Sequence, residues 1–203
     1  MTFVIFHGAF GSPEENWFPQ LKENLESLGQ KVLAPQFPVD NWETISKNGP
    51  QIPPKNQILT NWLKKFEPIY QEIKNNNKLV FIGHSLGPVF ILHLVAKYKL
   101  KLDCAIFVIP FMTALNRRDL WQFDHVNTSF YKSDFDFDLL KKQIPLSYVL
   151  YSDNDPYVDK KYSLEFAQKL DSSTIVIKGG KHLNIEAGFT NFPLVLELYK
   201  TRI

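Results

Sequence analysis

One cysteine, Cys104, among 203 residues excludes an internal disulfide framework and any site assembled from several thiolates. Such a chain suits a reducing compartment, and a cytoplasmic location is expected. No apolar run approaches the roughly 18 residues of a membrane span. Met1 leads straight into Phe3-Val4-Ile5-Phe6, with no basic flank or cleavage-like site, so the N-terminus reads as a strand and not as a signal peptide. An excess of one charge is missing too: 23 Lys+Arg against 21 Asp+Glu leave +2, with no dense basic run. Neither nucleic acid nor an anionic membrane is therefore expected as a partner. No repeat, low-complexity tract or linker divides the chain, and its length suits one domain over residues 1–203.

What is present is a globular composition, 44% hydrophobic and 22% charged, with enough apolar residues for a core. Aromatics stand out at 14%, including 17 Phe, a surplus that a heavy core, an apolar pocket or compositional drift would each explain. Runs of β-branched and aromatic residues predict strands at Phe3–Phe6, Leu79–Ile82, Cys104–Ile109, Tyr148–Tyr151 and Thr174–Ile177, with a weaker one at Lys31–Ala34. They are continuously apolar, as parallel strands covered on both faces require. Helical spacing connects them: Phe18, Leu21, Leu25 and Leu28; Ile58, Trp62, Phe66, Ile69 and Ile73, with Pro68 as a kink; Val89, Leu92 and Ala96; and further helices over 160–170 and 191–200. Strand and helix alternate throughout, which predicts an α/β layered fold.

Two stretches break the alternation. Residues 40–54 hold three prolines and little periodicity, and read as a surface loop. Residues 111–145 carry seven aromatics and balanced charge, and read as a cap-like insertion, since long structured insertions in compact domains are often lids or binding loops.

Gly83-His84-Ser85-Leu86-Gly87 matches Gly-x-Ser-x-Gly, the sharp strand-to-helix turn that lifts a serine hydroxyl above a sheet. The pattern alone arises by chance in about one chain of this length in fifteen. Context strengthens it, because a predicted strand precedes the motif and a predicted helix follows. A serine at its free pKa is a poor nucleophile and needs a base, with an acid to orient that base, in the chain order Ser, Asp, His. Ser152-Asp153-Asn154-Asp155-Pro156-Tyr157-Val158 follows one predicted strand and Gly179-Gly180-Lys181-His182 the next. All three groups thus leave from C-terminal strand ends, where open α/β sheets keep their active sites. Two backbone N–H groups are needed for the developing oxyanion: that of Leu86, and one from Phe6-His7-Gly8-Ala9-Phe10-Gly11, with Ala9 preferred and Phe10 in reserve.

The His-Gly loop, Gly-His-Ser-x-Gly, Asp-Pro-Tyr-Val and Gly-Lys-His together resemble the α/β-hydrolase superfamily, in its compact serine hydrolase branch around retinoblastoma-binding protein nine. The resemblance spans nearly the whole chain. It implies a three-layer fold around a mainly parallel six-stranded sheet in the order 2-1-3-4-5-6. It also implies Ser85 as nucleophile, His182 as base and Asp155 as the acid, with Asp153 as the competing carboxylate. One departure is Leu183, where that branch tends to have an aromatic after the histidine.

The other residues have plainer readings. His84 is expected to pack or hydrogen-bond inside the turn and His7 to brace the loop after the first strand. His93 and His125 have no ligand-spaced neighbours, so no metal and no cofactor is expected. Trp17, Trp42 and Trp62 read as core or loop anchors. Phe10, Phe111, Trp121 and Phe123 are candidates for a substrate pocket, with helix packing as the alternative for Trp121 and Phe123. The function expected is hydrolysis of a small ester, thioester or amide with an apolar or aryl part. The rivals are acyl transfer to another acceptor, which shares every residue, and a protein-binding module working through 111–145. A complete Ser, Asp and His set argues against the last.

Overall fold

The structure, a computed structural model, describes residues 1–202. Its strands are β1 (Thr2–Phe6), β2 (Lys31–Leu33), β3 (Leu79–His84), β4 (Cys104–Val108), β5 (Ser147–Ser152) and β6 (Ser173–Ile177). They form one parallel sheet in the order β2-β1-β3-β4-β5-β6, as the resemblance implies. Every residue of β1, β3 and β4 is buried, which accounts for their continuous apolar runs. The edge strand β6 departs from that pattern: Val176 is 44% exposed, since only one neighbour and part of one face cover it.

The helices are α1 (Phe18–Ser27), α2 (Trp42–Asn48), α3 (Leu59–Ile73), α4 (Gly87–Tyr98), α5 (Trp121–Asn127), α6 (Phe137–Gln143), α7 (Lys160–Leu170) and α8 (Pro193–Arg202). α1 packs on α8, while α4, α6 and α7 pack in a row. No described helix is long and apolar enough to cross a membrane. Much of the aromatic surplus lies in one core cluster, where the rings of Phe6, Phe37, Trp62, Phe66, Phe90 and Phe130 meet at 4.7–6.3 Å.

Two segments differ from expectation. Residues 40–54 are not all loop, because α2 forms within them. Asn41 caps it by accepting the Thr44 N–H at 2.9 Å, and Gly49 ends it at φ 77°. Only Ile45 of α2 is buried, so no apolar stripe announces the helix. In residues 111–145, α6 packs against α4 and α7 beside the sheet, whereas α5 lies against α2. Four hydrogen bonds tie the α5 region to residues 46–59: Gln122 to Ser46, His125 to the Ile52 carbonyl, Gln57 to Asn127, and the Leu59 N–H to Ser129. The canopy over the C-terminal strand ends is thus built from two segments far apart in the chain.

Candidate active site

Ser85 occupies the tight turn between β3 and α4 with φ at 59°. A non-glycine residue held there costs about 1–3 kcal/mol and persists only where its surroundings force it. They do so here. The Ser85 N–H donates to the Val108 carbonyl at 2.9 Å, and α4 starts so close to β1 that a Cβ on Gly87 would stand 2.7 Å from the Phe6 carbonyl oxygen. The residue is 7% exposed, and its hydroxyl has no hydrogen-bond partner among the described residues. It faces a cavity of about 420 Å³ that His182 also lines.

Gly8 crowds the serine from the other side, where a Cβ would lie 2.9 Å from Ser85 Cβ. Gly8→Ala is therefore expected to cost about 1–3 kcal/mol through overpacking, read as a fall of several degrees in Tm. An unchanged Tm would show that this loop yields freely. In the same loop the Phe10 N–H is already engaged, donating to Gln57 Oε1 at 2.9 Å. Those of Ala9 and Leu86 have no partner among the described residues.

Gln57 is fully buried, and its Nε2 donates to Asn127 Oδ1 at the end of α5 (2.8 Å). The turn that carries it is held by Asp40, which accepts the N–H groups of Lys55, Asn56 and Gln57. One side chain therefore connects the Gly8–Phe10 loop with the canopy.

His182 and Asp155 meet across two loops, His182 Nδ1 donating to Asp155 Oδ2 at 2.8 Å. The other Asp155 oxygen accepts the N–H groups of Tyr157 (2.7 Å) and Val158 (3.0 Å), so the buried carboxylate is fixed on both sides. Asp153 is occupied elsewhere, accepting the Gly179 N–H at 2.8 Å. Asn154 Oδ1 accepts the Lys181 N–H at 2.8 Å, a second tie between the two loops.

Three clamps hold the His182 loop. His84 Nε2 donates to the His182 carbonyl (2.9 Å), Trp17 Nε1 donates to the Leu183 carbonyl (2.9 Å), and Asn16 Oδ1 accepts the Ile185 N–H (2.8 Å). Burial pushes the His84 imidazole down to about 3, with the His182 ring adding to the effect. Neutral at physiological pH, it serves as a hydrogen-bond donor to that carbonyl. His7 is likewise lowered by burial, to about 4. Its Nε2 accepts the Phe37 N–H (2.9 Å) while Nδ1 donates to the Gly8 carbonyl (2.8 Å), bracing the loop.

The cavity walls include Phe10, Trp42, Leu120, Phe123, Tyr157 and Ile185. Phe10, Trp42 and Phe123 meet pairwise at 5.1–5.8 Å, and Tyr157 stands between Phe123 (5.5 Å) and the His182 ring (4.9 Å). The other two pocket candidates are elsewhere. Phe111 is buried in the core beside Tyr131, drawn inward directly after β4. Trp121 packs edge-on against His125 and is absent from the lining, because two residues along an α-helix turn it about 200° away from Phe123. Leu183 is fully buried behind the histidine, so the site lacks a side-chain wall at that position.

The sequence profile of the serine hydrolase family matches residues 3–201. The chain belongs to this serine hydrolase family. Among proteins similar to this serine hydrolase is YdeN of Bacillus subtilis (strain 168), 25% identical over 194 residues, which cover 96% of this chain and 92% of YdeN. The crystal structure of the ydeN gene product superposes with a TM-score of 0.80 over 98% of this chain and 97% of that one. Est1E from Butyrivibrio proteoclasticus, with ferulic acid bound, shares the fold at 16% identity and a TM-score of 0.67, over 98% and 90% of the two chains.

Several residues of this serine hydrolase site escape a reading of the sequence. Gln57 sits alone among prolines and polar residues, with no spacing to mark it. Trp42 reaches the cavity only because α2 forms, and Asn16 only because the left-handed turn at φ 59° aims its side chain at the histidine loop. Asn41 and Gly49, a cap at each end of α2, are the signals that point to Trp42.

Proposed function

We propose that this serine hydrolase cleaves a small ester, thioester or amide with an apolar or aryl part through a Ser85 acyl-enzyme. The observation that carries this reading is the 2.8 Å bond from His182 Nδ1 to Asp155 Oδ2, in a loop that shares one cavity with the Ser85 hydroxyl. With Nδ1 committed as donor, Nε2 is the free basic nitrogen. Ser85 Oγ attacks the carbonyl carbon while its proton passes to His182 Nε2. The carbonyl π-electron pair moves onto oxygen, where the Ala9 and Leu86 N–H groups receive it. As the tetrahedral intermediate collapses, the bond to the leaving group breaks and that group takes the proton from Nε2. Water then repeats the sequence on the acyl-enzyme and releases the acid. Asp155 holds the imidazole tautomer and stabilises the imidazolium without taking the proton.

Resting serine–histidine contacts often tighten only when substrate binds, which fits a hydroxyl with no partner. The ferulic acid held by Est1E is an aryl acid, and the aromatic walls of this cavity suit a similar group. Burial pushes the Cys104 thiol up to about 12, leaving it protonated and unsuited as a rival nucleophile. The chain works as one domain, its 111–145 segment supplying the canopy through α5.

A fluorophosphonate probe tests the reading. The folded protein is expected to take up one equivalent, with the adduct mass on the peptide containing Ser85. A folded protein that remains unlabelled, or is labelled on another residue, would overturn the proposal.

A further inference from the structure

Charge in the cavity is one-sided. Its described lining includes Glu15 and Glu186, both exposed to solvent, and no lysine or arginine, although the whole chain carries +2. Neither carboxylate is neutralised: no described salt bridge includes Glu15 or Glu186, and Glu186 Oε2 accepts only from the neutral groups Tyr157 Oη (2.9 Å) and Asn184 Nδ2 (3.4 Å). Arg117 is turned away, with Nε and Nη2 on Asp119 and Nη1 on the Pro156 carbonyl. Both acids stand by the histidine loop. Glu186 follows His182 by four residues, and Glu15 is next to Asn16, whose side chain holds the Ile185 N–H.

The same cavity is walled by the aromatic rings of Phe10, Trp42, Phe123 and Tyr157. Ser85, a residue more than nine-tenths buried, also lines it, and its hydroxyl has no partner among the described residues. Aromatic faces attract cations through their quadrupole. A cleft lined by charge of one sign with low-dielectric walls also concentrates ligands of the opposite sign.

Resting on the hydrolase reading above, we propose that the substrate carries a positive charge of the ammonium type on its leaving group. The side is set by the histidine. The leaving group receives its proton from His182, and the two carboxylates flank that same loop. An anionic leaving group would meet two like charges that no basic side chain offsets, and a neutral one would gain only the apolar contact.

Competition against fluorophosphonate labelling tests this without requiring the natural substrate. Choline and 3,3-dimethylbutan-1-ol have nearly the same shape and differ in the charge. Choline is expected to slow labelling at a concentration about fivefold to thirtyfold lower than its neutral isostere, the span of about 1–2 kcal/mol for a cation at an aromatic site. In the Glu15→Gln, Glu186→Gln double variant the ratio between the two competitors is expected to fall to the part that the aromatic faces alone supply, and raised salt should lower it in the wild type toward the same value. Equal protection by both compounds in a protein that labels on Ser85 would overturn the cation proposal and leave the hydrolase reading standing. Failure of a folded protein to label at all would overturn both.

Discussion

Ser85→Ala is expected to lower kcat for a p-nitrophenyl ester by about 10⁶-fold, the loss seen when the nucleophile of a serine–histidine pair is removed. The size follows from what remains. Without Oγ there is no acyl-enzyme, and the surviving contribution comes from substrate binding and from N–H groups able to polarise the carbonyl for direct attack by water. The substitution should leave the fold intact. Ser85 Oγ makes no hydrogen bond among the described residues, and alanine removes only that atom from a residue 7% exposed, keeping the backbone at the same left-handed φ. A Tm within about 2 °C of wild type, consistent with a stability change below about 0.5 kcal/mol, together with the loss of turnover would assign the effect to chemistry. Turnover within tenfold of wild type would mean that another group attacks.

Asp155→Asn is the second large effect, an expected fall in kcat of about 10⁴-fold, against a change of no more than a few-fold for Asp153→Asn. The asparagine side chain fits the same space, and its oxygen can still accept the N–H groups of Tyr157 and Val158 that Asp155 Oδ1 now accepts. That choice turns the amide NH₂ toward His182 Nδ1, a donor facing a donor. The imidazole must then carry its proton on Nε2, the nitrogen required as base, so the wrong tautomer accounts for the loss. Asp153 accepts one N–H, that of Gly179, and an amide oxygen replaces it without penalty. Steady-state kinetics on both variants at the pH optimum checks the contrast, and equal losses would remove Asp155 from its assigned role.

The sheet was legible because its physics is local and repetitive. Strands buried on both faces must be apolar at every position, and β1, β3 and β4 show this directly. The motif turns were legible because each needs particular residue types at fixed offsets: glycine where α4 approaches β1, and a serine held at φ 59° between strand and helix. Which carboxylate reaches His182 depends instead on the path of the 153–158 loop. The Oδ1 bonds to Tyr157 and Val158 curl that loop so that Asp155 is presented and Asp153 diverted.

Pocket walls were the least legible. Leu120 and Phe123 line the cavity while Trp121 does not, a distinction set by the exact start of α5 after a 3-10 turn at Arg118–Leu120. Gln57 acts through partners 47 and 70 residues away in the chain, and no local pattern encodes such a link.

The three clamps on the histidine loop have a consequence for the order in which activity appears. Their anchors, Asn16, Trp17 and His84, all lie in the first half of the sequence, while the loop they grip spans residues 182–185. Contacts of such separation close late, because the loop entropy between them must be met before they form. In the mechanism proposed above, a chain emerging from the ribosome thus presents its serine turn long before His182, the proposed base, is in place. On that mechanism the hydroxyl is expected to stay unreactive until the last part of the sequence docks. Esterase turnover in a refolding experiment is accordingly a readout of the final closing event, trailing the recovery of helix and sheet.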